Sequence, residues 1–137
     1  MHLQKALCAA LLLPFVIGAS GPSRVTIALH PQYGSQESGA ATITKRGANL
    51  VVDIRMKRVP HNAPMQLAHL HRGPCNRLIL SKAIDLNPLI HGRSHTILRR
   101  VETERALASN GSFYVSVHKM LANRSQHVAC GGPVRSP

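Results

Sequence analysis

The chain has 137 residues, enough for one domain, and carries 17 lysines and arginines against 5 acidic residues, a formal net charge of +12. That balance suits anionic surroundings such as phospholipid headgroups, cell-wall polymers or other polyanions. Nucleic acid is not the expected partner: aromatics make up only 3% of the chain, too few for a base-stacking platform, and the basic residues are scattered (Lys57-Arg58, Arg99-Arg100 and singles) rather than gathered into one tract.

Residues 1–20 read as a secretory signal. Lys5 lies near the start, an apolar run extends from Ala6 to Ile17, and Gly18-Ala19-Ser20 supplies small residues for cleavage. The run is about a dozen residues, shorter than the roughly 20 that a membrane-spanning helix needs. Cys8 lies inside it and lacks the small-residue context of a lipoprotein cleavage site. Residues 21–137 are therefore expected to form one exported domain, periplasmic or secreted. That domain keeps two cysteines, Cys75 and Cys130, for which a disulfide is the default in an oxidising compartment. Closing the loop between them stabilises a fold by ~4 kcal/mol on chain-entropy grounds.

The domain reads as a succession of short strands. Residues 24–30 alternate, with Val25, Ile27 and Leu29 on one face, and turn residues follow from Pro31 to Ser38. Gly39 to Thr44 alternates weakly, and Arg46-Gly47-Ala48-Asn49 marks a hairpin. Leu50 to Lys57 is the clearest strand, with Leu50, Val52, Ile54 and Met56 inward and Val51, Asp53, Arg55 and Lys57 outward. After the loop Pro60–Pro64, residues 65–71 form a further strand, and Leu78 to Leu86 contains another. His91-Gly92 is a turn, and Thr96 to Val101 a strand. Glu102 to Ser109 is a short helical turn closed by Asn110-Gly111. Phe113 to His118 alternates again, and Gly131 to Pro137 reads as a frayed end. Many short alternating strands with no internal repeat predict an antiparallel β-sandwich or flattened barrel.

The candidate chemistry lies in Ala68-His69-Leu70-His71. On a strand, His69 and His71 share one face while Ala68 and Leu70 share the other. In the later strand, Phe113, Val115 and Val117 alternate with Tyr114, Ser116 and His118. If the apolar sets fill the core, His69, His71 and His118 lie together on the outward face, where imidazoles are metal ligands rather than packing material. His91, His95 and His127 read as exposed polar residues, and His30 and His61 are given no role. Asn110-Gly111-Ser112 and Asn123-Arg124-Ser125 match the glycosylation sequon, although turns explain both. No phosphate-binding glycine loop, serine–histidine–acid arrangement or carboxylate pair supports hydrolysis, and no catalytic residue is assigned.

Three motifs in order, Ala68-His69-Leu70-His71-Arg72-Gly73-x-Cys75, then Tyr114-Val115-Ser116-Val117-His118-Lys119, then Val128-Ala129-Cys130-Gly131, resemble the copper/zinc superoxide dismutase family, closest to its small bacterial exported relatives. The similarity runs from about Val25 to Gly131. Ser38-Gly39-Ala40-Ala41 and Asn49-Leu50-Val51-Val52 are like the family's opening strands. The chordin-type domain shares an Ala-His-x-His strand and a later Val-His strand and is the nearest competitor, but its members do not usually carry the Cys75/Val-Ala-Cys pairing. The resemblance implies a Greek-key sandwich or barrel, with His69, His71 and His118 as three copper ligands, superoxide as the substrate, and Cys75–Cys130 as a disulfide tying a loop beside the metal to the last strand.

Two departures from that family are visible. Residues 76–95 offer Asp85, His91 and His95 in place of its histidine-rich zinc loop, so no zinc site is expected. His95, or His91, is the candidate for a fourth ligand outside the family's pattern. His127 stands where the family keeps an arginine that guides superoxide. A non-catalytic sandwich that binds anionic envelope components through its basic surface is the alternative reading.

Overall fold

The computed structural model describes residues 23–63, 65–77, 79–107, 113–119 and 126–134. The signal segment, the two sequons and the proposed helix stop at Asn110-Gly111 lie outside these residues. The chain forms β1 (Arg24–Pro31), β2 (Ser38–Arg46), β3 (Asn49–Lys57), β4 (Met65–Arg72), β5 (Ile79–Asp85), β6 (Leu89–Ile90), β7 (Arg93–Leu98), α1 (Arg100–Leu107), β8 (Phe113–His118) and β9 (His127–Val134).

The strands close on themselves. Hydrogen bonding runs β4-β6-β7-β3-β2-β1-β9-β8 and returns from β8 to β4, giving an eight-stranded antiparallel barrel with β5 added along β4. The expected all-β sandwich or flattened barrel is thus the observed fold. Two strands carry the chain between its two faces. β1 pairs with β2 over most of its length and with β9 at His30 and Pro31. β4 pairs with β6 at Met65 and Gln66, and beyond that with β5 on the same edge and β8 on the other. Closure of this kind leaves few unpaired edges.

Period-two alternation explains the core. Leu50, Val52 and Ile54 of β3, Ala68 and Leu70 of β4, and Val115 and Val117 of β8 all face one buried cluster. The tight turns follow their sequence signals: His91 and Gly92 occupy the two-residue β6–β7 turn with φ of 48° and 74°, the left-handed pair that a type I′ hairpin demands.

Four expectations are corrected. Val51, expected outward, is buried, although Ile97, its cross-strand partner on that face, is 53% exposed. The strand expected over Thr96–Val101 instead spans Arg93–Leu98, because the helix starts early. The Arg99 backbone N–H donates to Glu102 Oε2 at 2.9 Å and Thr103 Oγ1 donates to the Leu98 carbonyl at 3.0 Å, so side chains cap the first turn. Residues 131–134 are not frayed; they complete β9 against β8. The histidine face, expected outward and open, lies off the core yet is largely buried.

A buried polar pair closes one end of the barrel. Gln66 Nε2 donates to Glu37 Oε2 at 2.7 Å, both residues being almost fully buried, while Gln66 Oε1 has no partner among the described residues. Burial pushes the Glu37 carboxyl above its ordinary range, against the opposing pull of the Gln66 hydrogen bond and Lys119. A raised folded-state value means that ionising Glu37 costs the native state. Its stability contribution is therefore fully present below the ordinary carboxylate range and lost as pH rises through the folded value. Glu37→Gln removes the charge and adds an N–H able to reach Gln66 Oε1. We expect it to raise Tm at about pH 7.5 by a few degrees, with the gain shrinking as the pH approaches about 4. Thermal melts of both proteins across that range check this; a variant less stable at every pH would refute it.

Candidate metal centre

The register between β4 and β8 sets His69 opposite Ser116 and places Ala68 opposite Val117 and Leu70 opposite Val115. Each strand therefore turns its apolar residues to the core and its polar residues to the other face, as alternation requires. On that face the ring nitrogens of His69, His71 and His118 offer one atom each within 4.8 Å of one another. His71 and His118 are 1% exposed, and the three ring centroids stand 4.6, 5.3 and 5.7 Å apart. The sequence-predicted triad is brought together.

The hydrogen bonds orient it. Asp85 of β5 is the cross-strand partner of His69 and sets Oδ1 at 3.2 Å from Nε2. A carboxylate only accepts, so this contact favours the form of the ring with the hydrogen on Nε2 and the lone pair on Nδ1. That Nδ1 faces His118 Nε2 at 2.9 Å. Two nitrogens held at ~2.0–2.1 Å from one metal ion at right angles stand about 2.9 Å apart, so the spacing of this pair already suits adjacent ligands. Ser116 Oγ, fully buried, lies 3.1 Å from His118 Nε2 and completes the polar floor of the site.

A fourth histidine, not the one expected, packs beside the group without belonging to it. His127, read from sequence as exposed, is 8% exposed. Its ring centroid is 4.2 Å from that of His118 and 6.0 Å from that of His71. A β-bulge brings it there. Val117 pairs with Ala129 but His118 pairs with His127, leaving Val128 as an extra residue, and Val128 and Ala129 both enter the core. Regular alternation would put His127 on the core side with Ala129; the bulge re-aims it onto the face that carries the triad. Burial, and then the neighbouring His69, hold its imidazole below the usual histidine range, so it is neutral at neutral pH. Its Nδ1 is buried with no hydrogen-bond partner among the described residues.

The same face carries the disulfide. Cys130 pairs with Ser116 in the ladder and is bonded to Cys75, with a Cα–Cα separation of 5.8 Å, as the cysteine count predicted. The bond ties the connection between β4 and β5 to the strand that carries Cys130 on this face.

The other predicted candidates lie elsewhere. His95 is exposed on β7, where Nδ1 meets Asp53 Oδ1 of β3 at 2.6 Å, and it does not belong to the triad group. It pairs with Asp53 because β3 and β7 align these residues directly, so a fourth ligand from His95 is not what the fold provides. His91 sits exposed in the β6–β7 turn. Among the described residues, no helix is long and apolar enough to cross a membrane. The donor set can hold a divalent or cuprous ion through three imidazoles, which suit copper, zinc, iron and nickel alike. No family model matches the chain, and neither does any curated protein or solved structure.

Proposed function

We propose that the protein is an exported copper protein of the copper/zinc superoxide dismutase type, holding one copper ion on His69, His71 and His118 without a zinc site and acting on superoxide. The observation that carries this reading is the convergence of three ring nitrogens within 4.8 Å on one wall of a closed barrel. The donors fit copper: an all-imidazole set with no thiolate, since both cysteines of the domain are consumed in the disulfide. Strand-borne ligands, braced by ladder hydrogen bonds on both sides, supply the rigidity that a metal site needs.

Bound copper would supply a one-electron couple, through which two superoxide ions and two protons become dioxygen and hydrogen peroxide. The chain's own residues do the rest. Asp85 holds His69 in the tautomer that points Nδ1 inward, and such outer partners fix ligand orientation. The excess of basic residues, 16 against 5 acidic ones in residues 21–137, raises the local concentration of a small anion, a role that the neutral His127 does not itself fill.

Titration of copper into the folded, disulfide-bonded protein tests this. One tight equivalent is expected. The His69→Ala/His118→Ala variant should weaken binding by more than the roughly 10–100-fold cost of an outer-shell change. Superoxide decay faster than with the same concentration of free copper is the second readout. Unchanged binding in the double variant would refute the site, and binding without faster decay would refute the enzymatic part.

A further inference from the structure

His127 packs among the three proposed ligands without belonging to their 4.8 Å group. It lies directly across the β8–β9 ladder from His118, and a bulge is spent on turning it to that face. Taken in order His69, His118, His127, His71, the four rings form a closed circuit with centroid separations of 4.6, 4.2, 6.0 and 5.3 Å. The opposing pair His71 and His118 stands 5.7 Å apart. A metal ~2.0–2.1 Å from each nitrogen sets imidazole centroids about 3.2 Å away, so four rings in a square stand roughly 4.5 Å from their neighbours and roughly 6.4 Å from their opposites. The two sides that His118 shares, with His69 and with His127, match that square, while the two sides at His71, 5.3 and 6.0 Å, are longer and would have to shorten for all four rings to reach one ion. His127 Nδ1 is buried with no hydrogen-bond partner among the described residues, a costly condition for a polar atom that a ligand would relieve.

We propose that His127 is a fourth imidazole ligand, which together with His69, His71 and His118 would hold Cu(II) on four nitrogens. Cu(II) favours four equatorial donors where Cu(I) is content with fewer. A site of three histidines accommodates the reduced ion, and the fourth ring specifically favours the oxidised one. This inference rests on the triad reading and goes beyond it by assigning a ligand and an oxidation-state preference.

The test counts imidazoles on the Cu(II)-loaded, disulfide-bonded protein by pulsed EPR, using the modulation from the remote ring nitrogens. Four are expected in the wild type, a measurement that needs no variant. The His127→Gln variant should show three, with Cu(II) dissociation at least about tenfold easier and Cu(I) affinity changed much less. Three imidazoles in the wild type, with the same spectrum and affinity in His127→Gln, would overturn the role of His127 while leaving the triad in place. Failure of the wild type to take up one equivalent, or equal uptake by His69→Ala/His118→Ala, would overturn both.

Discussion

Replacing both cysteines, Cys75→Ala with Cys130→Ala, is expected to lower the unfolding free energy by about 4 kcal/mol and to loosen copper binding together with the fold. The bond spans a sequence separation of 55 residues, and a cross-link of that reach removes much of the freedom of the unfolded chain. Domains of this size hold only about 5–15 kcal/mol in all, so the loss brings the protein near its folding threshold. Alanine suits the test because Cys130 is 1% exposed and a serine hydroxyl there would add an unsatisfied polar group to the effect. The functional consequence follows from position. Cys130 lies across from Ser116 on the histidine face, and its bond to Cys75 fastens the connection from β4 to β5, the strand that brings Asp85 to His69. Urea unfolding of the oxidised wild type, the dithiothreitol-reduced wild type and the double variant checks this. The latter two should coincide, well below the first. A difference under about 1 kcal/mol would show that the barrel does not depend on the bond.

How much of this molecule was legible in its sequence depended on whether a residue obeyed strict alternation. Leu50, Val52 and Ile54 do, and they fill the core as read. Ala68-His69-Leu70-His71 and Phe113–His118 do too, so the triad was recoverable from two strands and the pairing of their apolar faces. Three features broke the rule. Val51 is buried on the face that alternation gives to solvent, although its cross-strand partner Ile97 stays exposed. The histidine face lies off the core and is nevertheless buried, and period-two counting separates the faces of a sheet without saying what lies on each.

His127 is the more instructive failure. Counting back from Cys130 in steps of two places it beside Ala129 and away from the triad. Val128 and Ala129 are adjacent apolar residues that both enter the core through a bulge, and that bulge moves His127 to the face of His118. His95 failed in the opposite direction. Its sequence position after Cys75 suggested proximity to the metal, but strand order carries β7 to the edge of β3, where Asp53 is its partner. Position along a chain says little about which edge a strand will choose.

The Gly131→Ala variant is expected to lose on the order of 3 kcal/mol from the addition of a single methyl group. A Cβ at Gly131 runs into the carbonyl oxygen of Ala28 and comes within 3.0 Å of Leu29 Cδ2. The first is main chain of β1, which no rotamer change can move, so relief requires β9 to draw away from β1. That movement begins one residue from Cys130 and reaches His127 within the same strand, since β9 is held on this edge at His30 and Pro31 and, just beyond β1, by the Gln32 N–H bonded to the Val128 carbonyl. Stability and metal geometry should therefore fall together, with Cu(II) affinity and EPR parameters shifting in the variant. Gly34→Ala provides the comparison. Its φ of +77° disfavours any side chain, but nothing lies within 4 Å of the added Cβ, so the cost should be about 1 kcal/mol from backbone strain alone. Urea unfolding ranks the two. If Gly131→Ala is no more costly than Gly34→Ala, or destabilises without disturbing the copper spectrum, then β9 is not the rigid bearing for the histidine cluster that its close approach to β1 implies.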